Sequence, residues 1–226
     1  PSASVVAPSS APSSNPLFLQ ALNQVPAGQS ATRPSNFATV YSPFILGVYA
    51  WGIPTSGANV GALGVAFDPD GQTVLVSGGE GRNQIWKFGV GGGQAGTPWA
   101  TLDVPVYDLA FDGQGRLWAT TGGGPLVELD PVSGAIVARY SDGITLGLAV
   151  HPTTGKLYVA TSSGVQIFDP ETRRFAGFSS TRVYDLAFAP DGKLHATTWP
   201  EDGRLIRFDQ HGNAEVVMIP QTPVGG

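Results

Sequence analysis

VPVYDLAFDGQGRLWATT (104–121) and TRVYDLAFAPDGKLHATT (181–198) carry the same hexapeptide, VYDLAF, at 106–111 and again at 183–188. Working outward, two more segments fall into line: GALGVAFDPDGQTVLVS (61–77) and ITLGLAVHPTTGKLYVAT (144–161). Their shared alanines, Ala66, Ala110, Ala149 and Ala187, are spaced 44, 39 and 38 residues apart. Self-similarity at a period near 40 residues is the mark of a repeat architecture, in which each unit buries its apolar face against its neighbours.

Each unit continues in the same way. A third run follows (QIWKF, LVELD, VQIFD and LIRFD, the last ending at Asp209), then a fourth (ATL, IVARY, FAGF, EVVMI). The runs are of strand length and are separated by turn chemistry. DPDG (68–71), DGQG (112–115), PTTG (152–155) and PDG (190–192) join the first run to the second; DPVSG, DPETR and DQHGN join the third to the fourth. The first run is apolar almost throughout, as in LGVAF and YDLAF, which suits a strand covered on both faces. The pattern predicts an all-β fold, a β-propeller of four-stranded antiparallel blades with four repeats visible. Four repeats leave three arrangements open: a closed four-blade ring, part of a larger propeller, or a ring completed by a second copy. The long first spacing comes from the insertion VGGGQAGTP (90–98), expected to be an ornament on the rim.

The boundaries follow. Residues 1–16, PSASVVAPSSAPSSNP, form a Ser/Ala/Pro-rich linker with too little apolar surface to offset the entropy of ordering. Residues 17–59 read as an extension able to supply strands of a partial blade. Blades follow at 60–102, 103–141, 142–179 and 180–219, with 220–226 as a tail. The leader lacks the basic and apolar regions of a secretory signal and starts at Pro1, so a preceding segment is expected to have been removed.

GRLWATT…LVELDPVSG (115–134) and GKLYVATSSGVQIFDPET (155–172) resemble the exported bacterial β-propellers with NHL-like or YVTN-like repeats, including the streptogramin lyase-like proteins. The resemblance covers residues 60 to 219 and implies an extracellular, cell-surface or periplasmic location. It concerns packing positions. The His and Glu set of the lyase-like enzymes and the Glu/Asn/Asp metal set of the lactonase-like propellers have no residue-by-residue match here, so no catalytic residue is carried over.

Composition narrows the functional classes. The 226 residues include no Cys, which excludes thiol nucleophiles, disulfides and Cys-based metal centres. The formal charge of −5 argues against nucleic acid as a partner, and no apolar run approaches the length that would insert in a membrane. Gly91-x-Gly93-x-x-Gly96 fits a dinucleotide pattern, but Thr97-Pro98 and a strand follow it where a helix is required.

Loops entering the first strand and joining the second to the third collect on one axial face. Tyr107, Asp108, Tyr184, Asp185, Thr121, Thr198, Trp199, Glu201 and Asp202 gather there as the candidate ligand-binding residues, with Glu80 and Arg82 nearby. The repeated Tyr-Asp pair has two readings. The two carboxylates can face one another across the axis and hold a cation, or each can accept backbone N–H groups of a neighbouring blade. A structural role recurs with the repeat, whereas a catalytic role occurs once, so repetition favours the second. His151 and His211 fall in turns on the opposite face, and His195 takes the strand position of Trp118 and Tyr158, so the three form no constellation. Trp99 and Trp199, beside prolines in loops, are candidates for exposed contacts.

No resident cofactor is expected, with Ca²⁺ the one candidate. The leading expectation is a non-catalytic module that binds protein or glycan or serves in assembly, as a homo-oligomer or with additional blades of a parent protein. The alternative is a metal-assisted hydrolase or lyase.

Overall fold

The computed structural model describes residues 47–141, 143–198 and 202–218. The chain divides into two units, one of residues 1–51 with 91–94, the other of residues 52–90 with 95–226. In the first, β1 (Ala50–Trp51) pairs in parallel with β5 (Gly93–Gln94), and the Gly93 N–H donates to the Tyr49 carbonyl at 2.9 Å. The insertion that precedes the last strand of the first blade is therefore not a free ornament, because part of it is paired with the segment that precedes the blades.

The second unit holds four antiparallel blades arranged as a β-propeller. Blade one comprises β2 (Val65–Phe67), β3 (Thr73–Gly78), β4 (Gln84–Gly89) and β6 (Ala100–Thr101). Blade two comprises β7 (Asp108–Phe111), β8 (Leu117–Thr120), β9 (Leu126–Leu129) and β10 (Ile136–Tyr140). Blade three runs β11 (Thr145–Val150), β12 (Leu157–Thr161), β13 (Gly164–Asp169) and β14 (Arg174–Ser179). Blade four runs β15 (Asp185–Phe188), β16 (Leu194–Thr197), β17 (Leu205–Phe208) and β18 (Ala214–Met218). The described residues contain no helix long and apolar enough to cross a membrane.

The turns form for the reason their composition suggests. The Asp130 carboxylate accepts the N–H groups of Val132 and Ser133, Asp169 those of Glu171 and Thr172, and Asp209 those of His211 and Asn213. Each side chain replaces the backbone acceptor that a tight turn loses. These bonds also hold the carboxyl of Asp130 below the usual range; at Asp169 the side-chain bond from Lys156 comes first, and at Asp209 that from Asn213.

The core lies between the blades. Leu75, Leu109, Leu117 and Ala119 pack where blade one meets blade two. Trp118, Leu148, Val159 and Phe168 fill the next layer, and Ala149, Leu186, Ala196 and Phe208 the third. Successive residues of a strand point to opposite faces. In β8, Leu117 and Ala119 therefore serve one layer while Trp118 serves the next, and all are buried. Apolar runs without alternation are what a strand buried on both sides requires.

The outer blades depart from that rule. Val65 and Phe67 of β2 are 50% and 75% exposed, because Ala66 between them is the residue that faces blade two. At the other end Ala187, His195, Arg207 and Glu215 lie in register across blade four, with Arg207 paired to Glu215 at 2.7 Å. Where blades two and three present Trp118 and Tyr158 to the following blade, blade four presents a half-buried imidazole beside an ion pair. The innermost strands β2, β7, β11 and β15 pack in chain order, and β15 does not pack on β2 in the same way.

Candidate functional site

Tyr107-Asp108 leads into β7 and Tyr184-Asp185 into β15, two blades apart. Antiparallel register sets Asp108 opposite Thr120 and Asp185 opposite Thr197. The N–H groups of Tyr107 and Tyr184 extend each ladder by donating to the carbonyls of Thr120 and Thr197 at 2.7 and 2.8 Å. So anchored, the two tyrosines meet edge to face, with ring centroids 5.5 Å apart and planes at 83°. Burial pushes the Tyr107 hydroxyl well above the usual phenol range, and its hydrogen bond with Tyr184 and the charges of Asp185 and Asp108 push the same way.

The Asp108 carboxylate joins two blades. Its Oδ1 accepts the N–H of Leu109 at 2.8 Å, in its own strand, and its Oδ2 accepts the N–H of Leu148 at 2.9 Å, on β11 of blade three. Burial raises its pKa to about 7, the neighbouring Asp185 adds to the rise, and the two N–H bonds oppose it without cancelling it. Asp185 accepts the N–H of Leu186 at 2.8 Å, and burial raises its pKa too.

Two glycines complete the arrangement. At the position of Asp108 and Asp185, blades one and three carry Gly64 and Gly147, so the inner strands alternate Gly, Asp, Gly, Asp. A Cβ on Gly64 would come 2.8 Å from the Asp108 Cα, and one on Gly147 would come 2.5 Å from the Asp185 Cα. The Gly147 N–H donates to the Tyr184 carbonyl at 3.0 Å. Backbones of adjacent blades touch at these points, and only a residue without a side chain lets them.

The other residues expected on this face have local tasks. Thr121 is buried; its hydroxyl donates to the Pro125 carbonyl, and its N–H donates to the hydroxyl of Thr145 in the next blade. Thr198 donates to Asp202 and accepts the Arg204 N–H, while Asp202 pairs with Arg204 at 2.7 Å. Arg82 donates to the Ser56 hydroxyl at 3.2 Å, and Glu80 is exposed. Trp199 and Glu201 lie outside the described residues. Trp99 is no exposed contact: it packs on the core between blades one and two, and its indole N–H donates to the Val132 carbonyl, with Lys87 Nζ 3.9 Å above its ring.

Two residues of this region were missed. The hydroxyls of Thr120 and Thr197 are buried with no hydrogen-bond partner. Each sits directly across its strand pair from one of the aspartates, so their recurrence in ATT at 119–121 and 196–198 was the available signal.

The chemistry of the donor set bears on Ca²⁺. That ion takes six to eight oxygen ligands. Both oxygens of Asp108 already accept N–H groups, and among the described residues no three His, Asp or Glu side chains converge.

No family model matches this chain, and a comparison with curated protein sequences finds no match. Solved structures are similar in fold. Virginiamycin B lyase from Staphylococcus aureus is 18% identical with a TM-score of 0.56, over 73% of this chain and 59% of that one. A gluconolactonase from Xanthomonas campestris, XC5397, is also 18% identical at a TM-score of 0.56, over 72% and 63%. A chain of the nidogen/laminin complex is 16% identical at 0.53, over 67% and 60%. Enzymes and a binding partner thus share the fold, and this chain spans about three fifths of their lengths.

Proposed function

We propose that this chain is a non-catalytic propeller module, displayed outside the cell, that binds a protein or glycan or builds an assembly. The observation that carries the reading is the Asp108 carboxylate. A general acid or base needs an oxygen free to exchange a proton with substrate, whereas both oxygens of Asp108 hold N–H groups of two successive blades. Its repeat partner Asp185 accepts the N–H of Leu186 and lies against Gly147 of blade three. Fold likeness adds no chemistry, since one fold hosts many activities.

The alternative, a metal-assisted hydrolase or lyase, draws on the mutual repulsion of Asp108 and Asp185, which a cation would relieve. Both readings meet one experiment. The purified chain is assayed for lactone hydrolysis and streptogramin ring opening, with and without added Ca²⁺ or Mg²⁺, beside Asp108→Asn and Asp185→Asn. The module reading expects no turnover, no thermal shift from either cation, and lower stability of Asp108→Asn at about pH 4, where the native carboxyl is still protonated in the fold. Turnover that rises with metal and disappears in either variant would overturn it.

A further inference from the structure

Two crevices between blades have matching construction and different contents. Between blades two and three, Trp118 is fully buried against Phe168, with centroids 5.4 Å apart. Its indole N–H donates to Asp112 Oδ2 at 2.9 Å. Arg116 lies over the indole and joins Asp112 at 2.6 Å to Glu171 at 2.8 Å. An aromatic ring fills the crevice and a guanidinium between two carboxylates closes it.

Between blades three and four the phenylalanine is kept, as Phe208, and the other four positions have changed. Tyr158 replaces Trp118, His151 replaces Asp112, Lys156 replaces Arg116 and His211 replaces Glu171. Lys156 does not form a lid, being paired with Asp169 of its own blade at 3.1 Å. The result is a cavity of about 520 Å³ lined by Tyr158, Phe178, Phe208, His151, His211 and Lys193. The turn histidines are thereby brought to one place, which their positions in sequence do not suggest.

The cavity has an aromatic floor. Tyr158 packs edge to face on Phe178 at 5.0 Å, and Phe178 on Phe208 at 5.6 Å, and both Tyr158 and Phe178 are only half-buried. Its rim is a set of donors. His151 Nδ1 accepts the N–H groups of Thr153 and Thr154, which leaves the proton on Nε2. Lys193 is exposed, 3.7 Å from Asp191. The Asp209 carboxylate is already engaged by the N–H groups of His211 and Asn213 and by the Asn213 side chain. An aromatic floor beside an ammonium and the His151 Nε2–H fits an aromatic ring that carries a negative charge.

We propose that this crevice binds a small aromatic carboxylate, its ring lying against Tyr158 and Phe178 and its carboxylate held by Lys193 and His151. The site lies at the turn end of the strands, away from the axial tyrosines, and does not depend on what the axial face does.

Indole-3-acetate is the probe, titrated calorimetrically into the full chain, with its methyl ester as the neutral control. A ligand of this size on a partly open site is expected to bind at roughly 0.1–1 mM, with the ester about two- to fivefold weaker, the share an exposed charge pair supplies. Tyr158→Trp puts a larger ring into the space above the floor and should weaken binding at least about tenfold in the folded variant. Lys193→Gln, at an exposed position, should bring the acid down to the ester's affinity without unfolding risk. The proposal is overturned if indole-3-acetate gives no saturable binding, if the ester binds equally well, or if a folded Tyr158→Trp binds as the parent does. Should Tyr158→Trp not fold, an unchanged affinity in Lys193→Gln overturns it alone.

Discussion

Replacing Asp108 with Ala separates two effects that the native carboxylate combines. The variant leaves the N–H groups of Leu109 and Leu148 without their acceptor. A buried unpaired donor costs about 1–3 kcal/mol, so the pair should cost roughly 2–4 kcal/mol. Against this stands the ionisation of the native group. Its carboxyl titrates near 3.8 when unfolded and at about 7 in the fold. A raised carboxyl pKa means that the folded state keeps a proton the unfolded chain has released. Stability from this source is present below about pH 4 and is lost as pH rises towards 7, by up to about 4 kcal/mol. Asp108→Ala lacks that loss. The full gap of roughly 2–4 kcal/mol holds only below about pH 4. At pH 5 the parent has already lost about 1.6 kcal/mol, so urea unfolding followed by tryptophan fluorescence should find the variant about 0.5–2.5 kcal/mol less stable. By pH 8 the gap should have narrowed to about 1 kcal/mol or less, or reversed. A gap that stays constant between pH 5 and 8 would show that the carboxylate is not buried beside Asp185 as described, and a variant as stable as the parent at pH 5 would show that it does not bracket the blades.

Other perturbations probe other layers. Gly147→Ala places a Cβ 2.5 Å from the Asp185 Cα, and because backbone cannot yield as a side chain does, it should cost about 1–3 kcal/mol and lower the melting temperature by several degrees. Trp118→Ala should cost about 3–5 kcal/mol, since the ring is fully buried. His195→Ala, at the same strand position of blade four, should cost under about 1 kcal/mol, because no described blade covers that face; equal losses measured by denaturation would contradict the assignment of layers. Toward acid the trend reverses: Asp130, Asp169 and Asp209 have lowered pKa values, so their stabilisation, present above the unfolded value, falls away as pH drops below about 4. A pH series of melting temperatures should then peak between about pH 4 and 7, and a monotonic rise from acid to pH 8 would refute the combined account.

The blades were legible because a repeat writes the same packing problem several times. Ala66, Ala110, Ala149 and Ala187 recur at fixed positions, and the turn residues Asp130, Asp169 and Asp209 act locally, through N–H groups two to four positions ahead. Short-range chemistry of this kind survives in a linear reading. The pairing of Gly93-Gln94 with Ala50-Trp51 was not legible, since a two-residue parallel bridge to a distant segment leaves no periodic trace. Trp99 misled for a related reason. Pro98 beside it suggested an open loop, but its indole reaches the Val132 carbonyl on the next blade.

Contacts between blades are where the linear reading runs out, and they are also where the candidate sites are. Asp108 could be recognised as a repeated polar residue, and it does accept an N–H of the neighbouring blade, whereas its repeat counterpart Asp185 accepts that of Leu186 in its own strand. The acceptor geometry of Asp108 is intelligible only once Leu148 of the following blade is beside it. The same holds for the glycines: Gly64 and Gly147 occupy the aspartate position in alternate repeats, and the alternation makes sense only as one blade's backbone giving way to the next. The crevices extend the point. His151 and His211 are 60 positions apart and each looks like an ordinary turn residue. They share a cavity because His151 stands where blade two has Asp112 and His211 where blade three has Glu171, so the repeat maps them onto a pair that Arg116 already joins. Aligning the repeats to each other, and asking what each substitution does to the neighbour across the layer, recovers information that scanning each repeat for motifs does not. In an array whose core lies between its units, function-bearing differences belong to interfaces, and their unit of reading is two adjacent blades.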